Sequence, residues 1–195
     1  MFIVLEGLDR SGKTTQVQAL VDYFNNVEKK PTIQWQYPDR STVIGKLINQ
    51  FLQGDVKMDA RSIFLLFSAN RWELQEKLED ILESGTNVIC DRYTHSGIAY
   101  GYANGLPLPW CFSVDDGLIV PDLVMFMDAD PEQLRKRSEF GSEVFEQTAF
   151  QKKVNEMYMM FVNNKHNWIK IDASKPREMV TLDIIHNIKS HSLIL

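Results

Sequence analysis

The chain has 195 residues, 44% apolar and 24% charged, with a formal net charge of −5. That length supports one substantial core but not two, and the acidic balance argues against a nucleic-acid-binding surface. Two cysteines, Cys90 and Cys111, stand in no metal-binding or redox spacing, which fits a reducing compartment.

The chain opens on Phe2-Ile3-Val4-Leu5, an apolar and partly β-branched run that reads as a buried strand. Gly7-Leu8-Asp9-Arg10-Ser11-Gly12-Lys13-Thr14 follows at once and matches G-x-x-x-x-G-K-[ST]. After it, Val17, Leu20, Val21 and Phe24 recur at helical spacing. Strand, glycine loop and helix together form a phosphate cradle. The glycines turn backbone N–H groups inward, and the helix N-terminus adds positive potential at the same place. Lys13 can reach the β- and γ-phosphates of a nucleoside triphosphate, and the Thr14 hydroxyl can ligate Mg²⁺.

Farther along, strands are expected at 2–6, 33–37, 87–90, 123–127 and 168–171, and helices at 13–26, 42–53, 59–84, 131–138, 147–164 and 177–189. Strands alternating with helices give a parallel sheet with right-handed crossovers. The expected fold is a three-layer α/β domain over residues 1–195, five parallel strands with helices on both faces and ligands at the strands' carboxyl ends. No repeat, low-complexity segment or Pro/Gly-rich linker divides it. The first residues enter the first strand without a basic or apolar leader, and no run approaches a membrane span. Neither membrane nor nucleic acid is expected as a partner, and the expected location is cytoplasmic, or nuclear.

Four polar clusters fall at that ligand edge. Tyr37-Pro38-Asp39-Arg40-Ser41-Thr42 ends the second strand and presents Arg40, whose guanidinium fork suits a phosphate; a plain surface arginine is the alternative. In the longest helix, Phe67 and Arg71 lie one turn apart, beside Asn70. They form either a platform and donor for a planar base or part of the core. Asp91-Arg92 closes the third strand. Asp91 can orient Mg²⁺ and Arg92 can hold a transferring phosphoryl group, unless the two form only a structural pair. Basic residues and a glycine at about 135–146, including Arg137, read as a flap over the triphosphate or as a solvated helix face.

FIVLEGLDRSGKTTQ, YPDRST, LLFSANRWE, DRYTHSGIAY, GLIVPDLVMF and IKIDAS, in this order, closely resemble the thymidylate kinases of the eukaryotic and poxviral type over essentially the whole chain. LLFSANRWE and DRYTHSGIAY carry the family signal; the glycine loop is shared by P-loop NTPases generally. The resemblance implies the P-loop NTPase fold, a short lid at 135–146, and transfer of the ATP γ-phosphoryl to dTMP with Mg²⁺ in dTTP synthesis. It also implies a homodimer, for which the apolar residues Ile63, Leu66 and Leu74 are candidate contacts.

The same resemblance assigns roles residue by residue. Gly7, Leu8, Asp9, Arg10, Ser11, Gly12, Lys13, Thr14 and Thr15 would bind ATP, with Arg137 near the adenine. Arg10 and Lys13 would stabilise the transferring phosphoryl, Thr14 and Asp91 would attend Mg²⁺, and Arg40 and Arg92 would grip the dTMP phosphate. Asp9 would accept from the sugar 3′-OH, and Tyr100 would crowd the 2′ position. Phe67 would stack on thymine and Arg71 would donate to its O4. Tyr37, Asn70, Ser96, Gly97 and Phe145 complete the expected substrate site. Tyr37 stands where the family usually has Phe, and Phe145 where it usually has Tyr.

Other readings remain distinguishable. Another nucleoside monophosphate kinase, acting on dUMP, dGMP or AMP, would keep the phosphate chemistry, but a donor at Arg71 opposes the amino group of cytosine. A guanine-specific switch would need N-K-x-D, and Asn164-Lys165-His166-Asn167 ends in the wrong residue. A catalytically silent relative fits poorly with Arg10, Lys13, Asp91 and Arg92 all present.

Overall fold

The computed structural model of the chain describes residues 1–134, 143–145, 147–164 and 166–192. In chain order the elements are β1 (Phe2–Gly7), α1 (Lys13–Asn26), β2 (Thr32–Gln36), α2 (Val43–Leu52), α3 (Ala60–Trp72), α4 (Gln75–Glu83) and β3 (Asn87–Asp91). There follow α5 (Thr94–Ala103), α6 (Leu108–Ser113), β4 (Leu123–Asp128), α7 (Pro131–Leu134), α8 (Thr148–Asn164), β5 (Trp168–Asp172) and α9 (Arg177–Ser192). The five strands pair in parallel in the order β2-β3-β1-β4-β5.

The layers follow from the direction of the crossovers. From β1 the chain passes through α1 to β2, one way along the sheet, and from β3 through α5 to β4, the other way. Right-handed crossovers put those two helices on opposite faces. Helix α9 packs on α1, while α8 packs on α5 with α3 behind it. Covered on both sides, β1, β3 and most of β4 are fully buried, which explains their continuous apolar runs. The direction reverses around β1, so the carboxyl ends of β1 and β3 form the crevice where a ligand sits.

The expected strands, and the helices expected at 13–26, 42–53 and 147–164, are present within a residue at their ends, while the helix expected at 177–189 runs on to Ser192. The single helix expected at 59–84 is two. Nothing in the sequence punctuates Glu73-Leu74, but Glu73 Oε1 accepts from Thr42 Oγ1 and Asn70 Nδ2, each at 2.7 Å. These bonds anchor the end of α3, and Leu74 N then bonds Arg71 O instead of continuing the ladder.

Helices α5 and α6 were not expected at all. THSGIAYGYA carries two glycines and weak helix formers, so propensity argues against α5. Tertiary contacts override it: Glu6 of β1 accepts from the Tyr93 and Ser96 amides at 3.0 Å each, capping the helix from outside. At Gly101 a Cβ would meet Cys111 Sγ at 2.8 Å, so that glycine admits α6. Of the helix expected at 131–138, Pro131–Leu134 is seen, and 135–138 lie outside the described residues. Ile63, an expected dimer contact, is a core residue at 1% exposure, and Leu66 and Leu74 are half-buried.

Candidate active site

A cavity of about 570 Å³ opens at the carboxyl ends of β1, β2 and β3. Asp9, Arg10, Lys13, Thr14, Tyr37, Arg40, Phe67, Arg71, Asp91, Arg92, Ser96, Gly97, Tyr100 and Phe145 all line it. Residues from five segments distant in sequence thus meet in one cavity. Gly7, Leu8, Ser11 and Gly12 of the loop and Thr15 of α1 do not line this cavity, and Arg137 lies outside the described residues.

The glycine loop takes its shape from two left-handed positions. Gly7 has φ +151, and a Cβ there would stand 2.8 Å from the Met127 carbonyl of the neighbouring β4. Gly12 has φ +94 and caps α1 without a side-chain hydrogen bond, so the first amides of α1 face the loop. Arg10 also has positive φ (64), a conformation costly for a side-chain-bearing residue and common at functional sites. Lys13 is buried and donates to the Leu8 carbonyl at 2.7 Å. Burial pulls its ammonium down to about 8, with Arg92 adding repulsion and Asp91, Asp9 and Glu6 opposing.

Across the cleft, Arg92 is fixed at the end of β3, also at positive φ (67). Its Nη1 donates to Gly7 O at 3.0 Å and Ser96 Oγ at 3.2 Å; its Nη2 donates to Asp9 Oδ1 at 2.5 Å. Asp9 Oδ2 accepts from the Tyr100 hydroxyl at 3.0 Å and from Gln151 Nε2 at 2.8 Å. Thr14 Oγ1 donates to Asp91 Oδ2 at 2.5 Å, while Asp91 Oδ1 is buried without a hydrogen-bond partner. An orphaned carboxylate oxygen beside a threonine hydroxyl is a donor set suited to a hard divalent cation.

Arg40 sits at the rim on a rigid turn. A Cβ at Gly45 would fall 1.8 Å from the Asp39 carbonyl, so α2 starts pressed against the turn, and Thr42 caps it by accepting from Gly45 N at 2.9 Å. Arg40 donates to Asn49 Oδ1 at 2.6 Å and Glu143 Oε1 at 2.9 Å. Phe67 is half-buried with its ring at the cavity, 5.9 Å from Phe64, so it is neither wholly core nor free. Phe145 stacks on Phe150 at 5.2 Å and packs against Phe51, Phe64 and Tyr100. The ring therefore gives the cavity apolar surface at this position.

Two expected substrate residues do other work. Asn70 is fully buried away from the cavity; it accepts from Asp39 N at 2.8 Å and donates to Glu73, locking the Arg40 turn onto α3. Ser96 reaches the cavity, but its hydroxyl donates to Glu6 Oε2 at 2.5 Å and lies 2.9 Å from Tyr158 OH.

Glu6, Gln151, Asp115 and Tyr158 went unsingled in the sequence. Glu6 left a trace there, a charged residue in a strand whose neighbours demand burial on both faces. Its carboxyl is raised above the ordinary range by burial, against bonds from Ser96, Tyr158 and Tyr93 and the charge of Arg92. Gln151 and Asp115 lie in no recognisable local pattern and reach the site through the tertiary fold alone.

The thymidylate kinase family model matches residues 5–184. The thymidylate kinase of Dictyostelium discoideum is 46% identical over 158 residues, 81% of this chain and 71% of that protein. The thymidylate kinase of Plasmodium falciparum is 43% identical over 190 residues, covering 96% and 89%. Among solved structures, thymidylate kinase from Candida albicans superposes with a TM-score of 0.88 at 36% identity, covering 98% of this chain and 92% of that one.

Proposed function

The chain belongs to the thymidylate kinase family, and it transfers a phosphoryl group from ATP to dTMP; we propose the following residue roles for that reaction. The observation that carries the proposal is that one cavity is lined both by the cations Arg10, Lys13, Arg40 and Arg92 and by Phe67 with Arg71. A nucleoside monophosphate calls for that same combination, cations for its phosphate and an aromatic face with a donor for its base.

The acceptor phosphate oxygen attacks the γ-phosphorus of ATP, a new P–O bond forms, and the bond to the β-phosphate oxygen breaks, leaving dTDP and ADP. The attacking oxygen is already anionic, so no general base is required, and catalysis consists of alignment and charge compensation. Lys13 and the α1 amides hold the donor phosphates. Arg10, on the loop itself, follows the γ-phosphoryl as charge spreads over its oxygens. Arg92 and Arg40 orient the acceptor phosphate, with Asp9 as acceptor for the sugar hydroxyl and Tyr100 against the sugar.

Thr14 and Asp91 are the residues that would hold Mg²⁺, and the unpartnered Asp91 Oδ1 supports that fit. Bound there, Mg²⁺ supplies neutralisation of the phosphate charge. Among the described residues no cluster of three or more His, Cys, Asp or Glu could hold a metal. The remaining ligands would therefore be phosphate oxygens and water.

A homodimer is part of the proposal. The core position of Ile63 moves its contact surface to the exposed apolar residues of α2 and α3, Val43 at 84% and Leu65 at 49% exposure. Solution mass tests this directly: a monomer at micromolar concentration that persists with Val43 and Leu65 intact contradicts it.

The residue roles are tested at one residue proposed for the base and one proposed for the phosphate. Phe67→Ala and Arg40→Ala should each raise KM for dTMP by about tenfold and leave KM for ATP within about twofold. Equal loss of both affinities, or an unfolded Phe67→Ala protein, contradicts them.

A further inference from the structure

Arg71 is restrained more heavily than a base-reading arginine requires. Its Nη2 donates to Asp115 Oδ2 at 2.6 Å, and both side chains are only 4% exposed. Asp115 comes from the turn after α6, and Ser68 Oγ, one turn before Arg71 on α3, shares its single proton between the other Asp115 oxygen at 2.7 Å and the Val114 carbonyl at 2.8 Å. Trp72 Nε1 donates to the Val114 carbonyl at 3.0 Å, fastening the same turn to α3 on the far side of Arg71. The opposite wall is α5, where a methyl group added at Gly97 would stand 2.8 Å from Nη2. The guanidinium is thus gripped between a carboxylate and a bare helix backbone, yet it still lines the cavity.

We propose that Asp115 is a positioning residue for base selection, holding Arg71 as a fixed donor so that a carbonyl at the pyrimidine 4-position is accepted and a 4-amino group refused. The proposal rests on Arg71 reading the base. An untethered arginine has a long flexible stem and can withdraw from an opposing amino group, letting water solvate both donors. The Asp115 bond removes that escape. A 4-amino pyrimidine then sets donor against donor in a site without room to rearrange, leaving polar groups unpaired. Ser68 fixes Asp115 in turn, and Gly97 blocks movement towards α5. An ion pair that only neutralised a buried arginine would change stability without changing the ratio between two bases.

The experiment compares kcat and KM for dTMP and dCMP in the parent chain and in Asp115→Asn, Ser68→Ala and Arg71→Lys. Asp115→Asn keeps the shape and loses the charge. It should raise KM for dTMP by about tenfold, leave KM for ATP within about twofold, and cut the kcat/KM preference for dTMP over dCMP by about tenfold. Ser68→Ala should shift the same ratio in the same direction by about threefold. A folded Asp115→Asn protein with the parental KM and ratio overturns the proposal. If that variant does not fold, Ser68→Ala decides, and an unchanged ratio overturns it. Arg71→Lys with an unchanged KM for dTMP would instead overturn the base-reading role of Arg71 itself.

Discussion

Arg92 Nη2 donates to Asp9 Oδ1 at 2.5 Å, joining the end of β3 to the glycine loop across the mouth of the cavity. Asp9 is held on its other oxygen by Tyr100 and by Gln151 of α8. One carboxylate therefore couples the loop that grips the donor phosphates to the arginine set for the acceptor. Removing it takes one of three anchors from Arg92, which keeps its bonds to Gly7 and Ser96, and takes only a distant charge from Lys13, which keeps its bond to the Leu8 carbonyl. Asp9→Ala should raise KM for dTMP by about tenfold and KM for ATP much less. Steady-state kinetics with each substrate varied will check this, and a dominant effect on ATP would place Asp9 on the donor side only.

Arg10 shares the loop but lines the cavity, at positive φ. A group that meets charge mainly in the transition state lowers kcat when removed, with little change in ground-state binding. Arg10→Ala should reduce kcat by about a hundredfold or more and leave the ATP dissociation constant within about threefold. Single-turnover rates beside equilibrium ATP binding give both numbers, and parallel losses would refute a transition-state role.

Lys13 makes the reaction pH-dependent on its alkaline side. With the ammonium at about 8 in the free protein, kcat/KM for ATP should fall as pH rises through that value. At saturating ATP the bound phosphates hold the proton, so kcat should stay level. Stability moves the opposite way. Lysine in the unfolded chain titrates at 10.5, so between about 8 and 10.5 the unfolded state binds more protons and this group's contribution rises with pH. An ATP kcat/KM flat to pH 9.5 contradicts the assignment.

The buried Glu6 carboxylate predicts a difference between two substitutions. Glu6→Ala strips a partner from the Tyr93 and Ser96 amides and from the Tyr158 hydroxyl. It should cost about 3 kcal/mol or more in urea unfolding, against about 1–2 kcal/mol for Tyr158→Phe, which removes the hydroxyl's two bonds, to Glu6 and Ser96. Similar losses for the two would show that Glu6 is not the hub of this cluster.

The parts of the fold legible in the sequence are those with local causes. β1, the glycine loop and α1 follow from an apolar run, two glycines and a helical period within 26 residues. The cavity lining was legible where chemistry sits in a short motif, as at Arg40, Phe67-Arg71 and Asp91-Arg92. Helix α5 was not, because its stability comes from Glu6 and from packing at Gly101 rather than from its own residues. Gln151 and Asp115 were hidden for the same reason: each is an ordinary polar residue until the fold brings it to Asp9 or Arg71. Asn70 stands beside Phe67 and Arg71 in the sequence, yet its amide is engaged by Asp39 and Glu73, because position on a helix does not reveal which neighbour claims an amide.

The most direct measurement is ADP release with ATP and Mg²⁺, comparing kcat/KM for dTMP, dUMP, dCMP, dGMP and AMP. A cavity that reads a pyrimidine carbonyl through Phe67 and Arg71 predicts dTMP first, dUMP weaker, and dCMP and the purines far behind. Turnover led by dGMP or AMP would keep the phosphate chemistry and contradict the base end of the site.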